Sequence, residues 1–200
     1  MEDARAAAEV ALAGRLAHDL DGTFEELVRE YQDRLFTFAL RLTGRREDAE
    51  EVAQDAFVRA YRALQTYPGE RVRALAVKAW LYRITLNLAR NRFRRRRHAT
   101  VSLDDEGNGT AARAAHDAPE DRPDARLETK RRRANIASLV ARMPDRWRAP
   151  LILRYVEGLK LEEVAAVLKQ PVGTTKSNVH RAINALRESL TESRRRGARP

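Results

Sequence analysis

The chain has 200 residues, 43% of them hydrophobic, and a formal net charge of +10 from 39 Lys and Arg against 29 Asp and Glu. That suffices for one large or two small cored domains and favours a polyanionic partner, nucleic acid before an anionic membrane surface. There is no cysteine and only four scattered histidines, which excludes disulfides, thiol chemistry and a structural zinc site.

Residues 1–22 are alanine-rich but interrupted by Glu2, Asp3, Arg5, Glu9, Arg15, His18 and Asp19, so they do not read as a signal peptide. They are expected to be a frayed helix or a flexible extension, with no assigned function. No apolar run reaches the length of a membrane span, so no membrane insertion is expected and the location predicted is the cytoplasm.

Thr23-x-x-Glu26 has the form of a capping box. Behind it Phe24, Leu27, Val28, Tyr31, Leu35, Phe38, Ala39 and Leu42 keep helical spacing as far as Thr43-Gly44. A second helix is predicted from about Glu47 to Leu64, with a buried stripe of Ala49, Val52, Ala53, Ala56, Phe57, Ala60, Tyr61 and Leu64. Its outer face carries Glu51, Gln54, Asp55 and Arg62 around Val58, which suits a basic protein partner. A loop from Gln65 to about Arg73, with Pro68-Gly69 inside it, leads to a third helix with Trp80, Leu81, Ile84 and Leu88. That helix ends in six arginines among residues 90–97, with no acid nearby in sequence. Such a cluster suits phosphates, and its binding would weaken steeply with salt. Residues 23–97 read as one all-helical domain.

Residues 98–125 change character. Seven acids face two arginines between Val101 and Ala125, and Gly107, Gly109, Pro119 and Pro123 punctuate the stretch. This is an acidic linker, either a solubilising spacer or an occupant of a channel that otherwise holds nucleic acid. A second helical domain is expected over 126–191, with a helix beginning or kinking near Pro150. Within it Leu161, Val164, Ala165 and Leu168 form one apolar face, and Val179, Ala182, Ile183, Leu186 and Leu190 a second. Pro171 and Gly173 are read as the turn between them. Two short helices so joined pack across each other, as in a helix-turn-helix. The outer face of the second carries Lys176, Ser177, His180, Arg181 and Asn184, able to bond phosphates or base edges. Taken alone, the same pattern also fits an ordinary helical hairpin with a solvated face. The tail 192–200 is basic.

Four motifs occur in order: Asp48-Ala-Glu-x-x-x-Gln54-Asp-x-Phe57, Trp80-Leu-Tyr-Arg-Ile-x-x-Asn87, Pro144-x-x-x-Arg148, and Pro171-Val-Gly-Thr-x-Lys-Ser177 with His180-Arg-Ala182. In this order the chain resembles the bacterial RNA polymerase sigma factors of the extracytoplasmic-function group, over roughly Thr23 to Leu190 apart from the linker. The resemblance implies an all-α protein: region 2 over 23–97 and region 4, with the helix-turn-helix, over 126–191. It implies that Glu51, Gln54, Asp55, Val58 and Arg62 meet the clamp coiled coil of the polymerase β′ subunit, and that the β flap receives region 4. Tyr67 and Asn87 would contact a base flipped out of the −10 element, with Arg90, Arg92, Arg94 and Arg95 on the phosphates of the melted strand. Lys176, Ser177, His180, Arg181 and Asn184 would read or clamp the −35 element. An anti-sigma partner is implied, and no cofactor or metal.

Three departures from the family pattern stand out. The segment from Gly69 to Trp80 is longer than usual, Val77 stands where an aromatic is common, and Asn178 and Asn184 replace frequent arginines. A rival reading is a stand-alone dimeric helix-turn-helix regulator, which leaves the linker, the arginine-ended helix and the Gln54/Asp55 face unused. Another is a regulator that sequesters polymerase without opening promoters. No phosphate-binding glycine loop and no nucleophile–base pairing is visible, so the protein is read as a non-enzyme.

Overall fold

A computed structural model describes residues 2–100 and 123–197, with side chains over 7–95 and 132–192. Regular structure among the described residues is helical throughout. The chain divides into two units, Met1–Asn108 and Gly109–Pro200.

The first unit contains α1 (Glu2–His18), α2 (Leu20–Thr43), α3 (Arg46–Thr66), α4 (Gly69–Arg73) and α5 (Val77–Thr100). Its core lies where α2, α3 and α5 pack together. α2 brings Leu27, Leu35 and Phe38, α5 brings Leu81, Tyr82 and Leu86, and α3 brings Ala49, Ala56 and Ala60, all fully buried. The alanines every three or four residues keep that face of α3 thin, so the larger side chains of its neighbours fill the space. Phe38 meets Tyr82 edge to face, centroids 5.0 Å apart. α2 ends at Gly44, whose φ of 73° is the left-handed geometry that glycine adopts without strain.

Three expectations are corrected here. Residues 2–18 form the helix α1 instead of a flexible extension, and α1 buries Leu12, Ala13 and Leu16 against the rest of the unit. Its alanines leave only this short apolar stripe, too sparse to predict docking from periodicity. The Thr23 capping box is not used either. α2 starts at Leu20, capped by Asp19, whose Oδ1 accepts from Gly22 N at 3.0 Å, and Thr23 is buried inside the helix. Aspartate is the stronger cap and lies one turn earlier. Finally, the loop 65–73 holds the short helix α4.

The second unit contains α6 (Pro123–Ala141), α7 (Asp145–Tyr155), α8 (Leu161–Leu168) and α9 (Val172–Gly197). Ile152, Leu153, Leu159, Val164 and Ala182 form its buried centre. Helix α7 begins five residues before Pro150 instead of at it. So near the N-terminus a proline forfeits only one backbone bond, and here it is itself buried. The turn between α8 and α9 also differs from its reading. Gly173 lies in the first turn of α9, and the left-handed residue is Lys169, with φ of 52°. Pro171 stands immediately before α9, where a missing N–H costs nothing, and its carbonyl accepts from Thr175 N at 3.0 Å. Helix α9 continues to Gly197, into the stretch read as a tail. Of the acidic linker, 101–122 lies outside the described residues.

Candidate functional site

The outer face of α9 is built by periodicity. Thr175, Asn178, Val179 and Ala182 are buried, which turns Lys176, Ser177, His180 and Arg181 outward, where they line one shallow concavity. Ser177 Oγ donates to Gly173 O at 3.0 Å, leaving its lone pairs outward. Asn184 is half-buried, with Nδ2 3.4 Å from His180 Nδ1, one turn away. Asn178 lies inside the motif, its Nδ2 donating to Gln170 Oε1 at 3.4 Å. It therefore ties α9 to the turn that precedes it. The result is an exposed helix face with two cations, a hydroxyl acceptor and an imidazole in its first three turns, a set that can meet phosphates and base edges in a duplex groove.

On α3 the residues Glu51, Gln54, Asp55, Val58 and Arg62 are all exposed, at positions that fall on one side of the helix. Val58 is 47% exposed and has polar groups on both sides.

Tyr67 closes α3, its N–H reaching Ala63 O at 3.1 Å and Leu64 O at 3.3 Å. The Arg71 guanidinium lies 3.7 Å from the Tyr67 ring centroid, a stacking distance. Trp80 leans on the same ring at 6.2 Å and is half-buried. Asn87, Arg94 and Arg95 are exposed on α5 and Arg90 is half-buried. Arg94 Nη2 donates to Asn91 Oδ1 at 3.3 Å. The side chains of Arg96 and Arg97 lie outside the described residues.

Arg92 is paired with two carboxylates of α3. Its Nε donates to Asp48 Oδ1 at 3.0 Å, and its Nη1 donates to Glu51. The absence of acids near the arginines in sequence is thus overcome by packing, since α3 lies against α5 and supplies two carboxylates. The bond to Asp48, more than the partial burial that opposes it, raises the Arg92 pKa further. Arg92 is a bridge between the two helices, and Glu51 on the α3 face is its partner.

Residues 27–99 match the family described as Sigma-70 region 2, and residues 133–186 match Sigma-70, region 4. Among curated proteins, the extracytoplasmic-function RNA polymerase sigma factor SigW of Bacillus subtilis is 31% identical, over 84% of this chain and 89% of its own. The RNA polymerase sigma-H factor of Pseudomonas aeruginosa is 33% identical over 84% and 86%. SigE of Mycolicibacterium smegmatis is 32% identical over 85% of this chain, which spans 62% of that protein's length. The chain belongs to the sigma-70 family.

Solved structures agree. CnrH, determined in complex with the cytosolic domain of CnrY, is 26% identical, with a TM-score of 0.64 over 92% of this chain and 98% of its own. The fold is shared by RpoE of Bartonella quintana, solved with the anti-sigma factor NepR, at 24% identity and a TM-score of 0.66 over 84% and 96%. In sigma terms, region 2 spans α2 to α5, and region 4 runs from the second half of α6 into α9. The arrangement brings Tyr67, Arg71 and Trp80 together in region 2. It ties Arg92 to the carboxylates of α3. Sequence reading missed Arg71, and no pattern marks it: one turn of helix after Pro68 brings it back over Tyr67. Among the described residues no helix is long and apolar enough to cross a membrane.

Proposed function

We propose that this sigma-family chain joins core RNA polymerase through the exposed α3 face, with Asp55 and Val58 at the centre of the contact to the β′ clamp, and through region 4 to the β flap. It then reads a −35 element with α9 and captures an unpaired −10 base beside Tyr67 and Asn87. Arg90, Arg94 and Arg95 hold phosphates of the melted strand. The observation that carries the reading is the face of α9, where Lys176, Ser177, His180 and Arg181 are turned outward by four buried neighbours. Melting at −10 proceeds without ATP because an unstacked base offers its whole edge to the site. A second protein partner also fits: CnrH is bound by the cytosolic domain of another protein, and an anti-sigma partner covering the α3 face would hold this chain inactive. The protein does no chemistry of its own and works in the cytoplasm.

The test is multi-round transcription by core polymerase on fragmented genomic DNA, with and without the protein, start sites being mapped. New starts sharing elements near −35 and −10 are expected, and charge reversal by Asp55→Arg should abolish them by weakening core binding. No new starts, together with a tight duplex footprint by the protein alone, would establish the dimeric regulator instead.

A further inference from the structure

Helix α1 has no task in the proposed function. It packs on α2, α4 and the start of α5, with Leu12, Ala13 and Leu16 buried. Its Glu9 Oε1 accepts from the backbone N–H of Lys78 at 2.8 Å. Lys78 is the second residue of α5, and its N–H is among those a helix start leaves unpaired. A local cap would ordinarily take that donor, but the residue before α5 is Ala76, which has no acceptor in its side chain. The cap is instead a carboxylate 69 residues upstream, a charge also favoured by the helix dipole.

The other end of α1 supports α4. A Cβ placed on Gly69 would lie 3.8 Å from Ala17 O, so the first residue of α4 rests near the α1 backbone. Helix α4 carries Arg71, which stacks on Tyr67, and the first turn of α5 carries Trp80, which leans on it. Both neighbours of the Tyr67 ring are therefore mounted on elements that α1 holds.

We propose that α1, through Glu9, is the positioning element of the −10 base site, fixing α4 and the start of α5 so that Tyr67 is presented in one geometry before DNA arrives. The inference rests on the reading of Tyr67 and Asn87 as −10 contacts. A flipped base must be caught before it restacks, and a site already rigid loses less freedom in catching it. Glu9 is a positioning residue: it touches no DNA and acts through Lys78 N.

The experiment uses the full chain with core polymerase, and open complexes are read by permanganate reactivity of unpaired thymines. Affinity for core is measured in parallel, all at a temperature well below each variant's Tm. Glu9→Ala is expected to lower the open fraction by on the order of fivefold, the effect of one lost cap, with core affinity unchanged. Glu9→Gln should restore opening, because its amide oxygen can accept the same N–H, and Val10→Ala, at a position 69% exposed, should behave as wild type. In a Trp147→Phe background, Trp80 fluorescence should shift for Glu9→Ala and not for Glu9→Gln. Wild-type opening by Glu9→Ala, or a loss that tracks core affinity or disappears on further cooling, overturns this inference alone. If the wild-type chain opens no promoter, the promoter reading falls and this inference with it.

Discussion

Arg92 and Arg181 show how identical side chains acquire different tasks from what lies within a few ångströms. Arg92 is drawn between α3 and α5 by Asp48, whose side chain is only 9% exposed, and by Glu51. Arg92→Ala should cost about 1–2 kcal/mol, between the values for exposed and buried pairs, and thermal or urea unfolding would read it. Transcription at a temperature where the variant is folded should fall less than for Arg94→Ala, which is expected to keep the fold and, on the proposed function, to lose a phosphate contact. Arg181 is exposed on the outer face of α9, proposed above to read the −35 element. Arg181→Ala is expected to cost about 1–3 kcal/mol of −35 discrimination and to relax preference at one base position. Lys176→Ala should weaken binding evenly across sequences and lower the salt slope by about 1. Promoter libraries assayed at two salt concentrations separate the two roles.

Helix ends are where sequence and structure part company in this chain. Gly44 and Lys169 both close helices in the left-handed region, with φ of 73° and 52°, but only one of them is glycine. Gly44→Ala should destabilise region 2 by about 1 kcal/mol, and Lys169→Gly should stabilise region 4 by up to about 1 kcal/mol. Opposite shifts in Tm check the pair, and equal signs would contradict the backbone argument. Helix α8 shows half of a capping box: Glu163 Oε2 accepts from Lys160 N at 2.5 Å, while lysine has no oxygen to return the bond. The turn between α8 and α9 is thus held by backbone geometry, by Pro171 and by the Asn178–Gln170 bond. Asn178 therefore leaves no gap on the outer face of α9: its side chain is buried and bonded to Gln170.

The whole molecule joins two units of modest size through an acidic stretch of sequence. Each unit carries its own set of cations, so each contact alone should be weaker than the pair and strongly dependent on salt. Once polymerase holds both, the second contact becomes intramolecular, and the gain in avidity is on the order of 100-fold or more. A protease site introduced between residues 108 and 123, cleaved after purification, should therefore abolish promoter-specific transcription while the region 2 unit still competes for core. Undiminished transcription from the cleaved protein would mean that the two units need no covalent link.

Periodicity alone located α2, α3, α5, α8 and α9 and the outward residues of α3 and α9, because an amphipathic helix writes its buried face into its own spacing. The motif order identified the family for the same local reason: each motif is a few residues long and lies on one element. Four features could not be read locally. Arg92 pairs with acids 41 and 44 residues away, Arg71 stacks on Tyr67 only because α4 turns back, α1 docks on too few apolar residues to announce itself, and Glu9 caps a helix 69 residues downstream. For Arg92, α1 and Glu9 the deciding partner is remote in sequence, and only the packing of helices against one another brings it within bonding distance; for Arg71 the partner is four residues away and the turn at Pro68 decides.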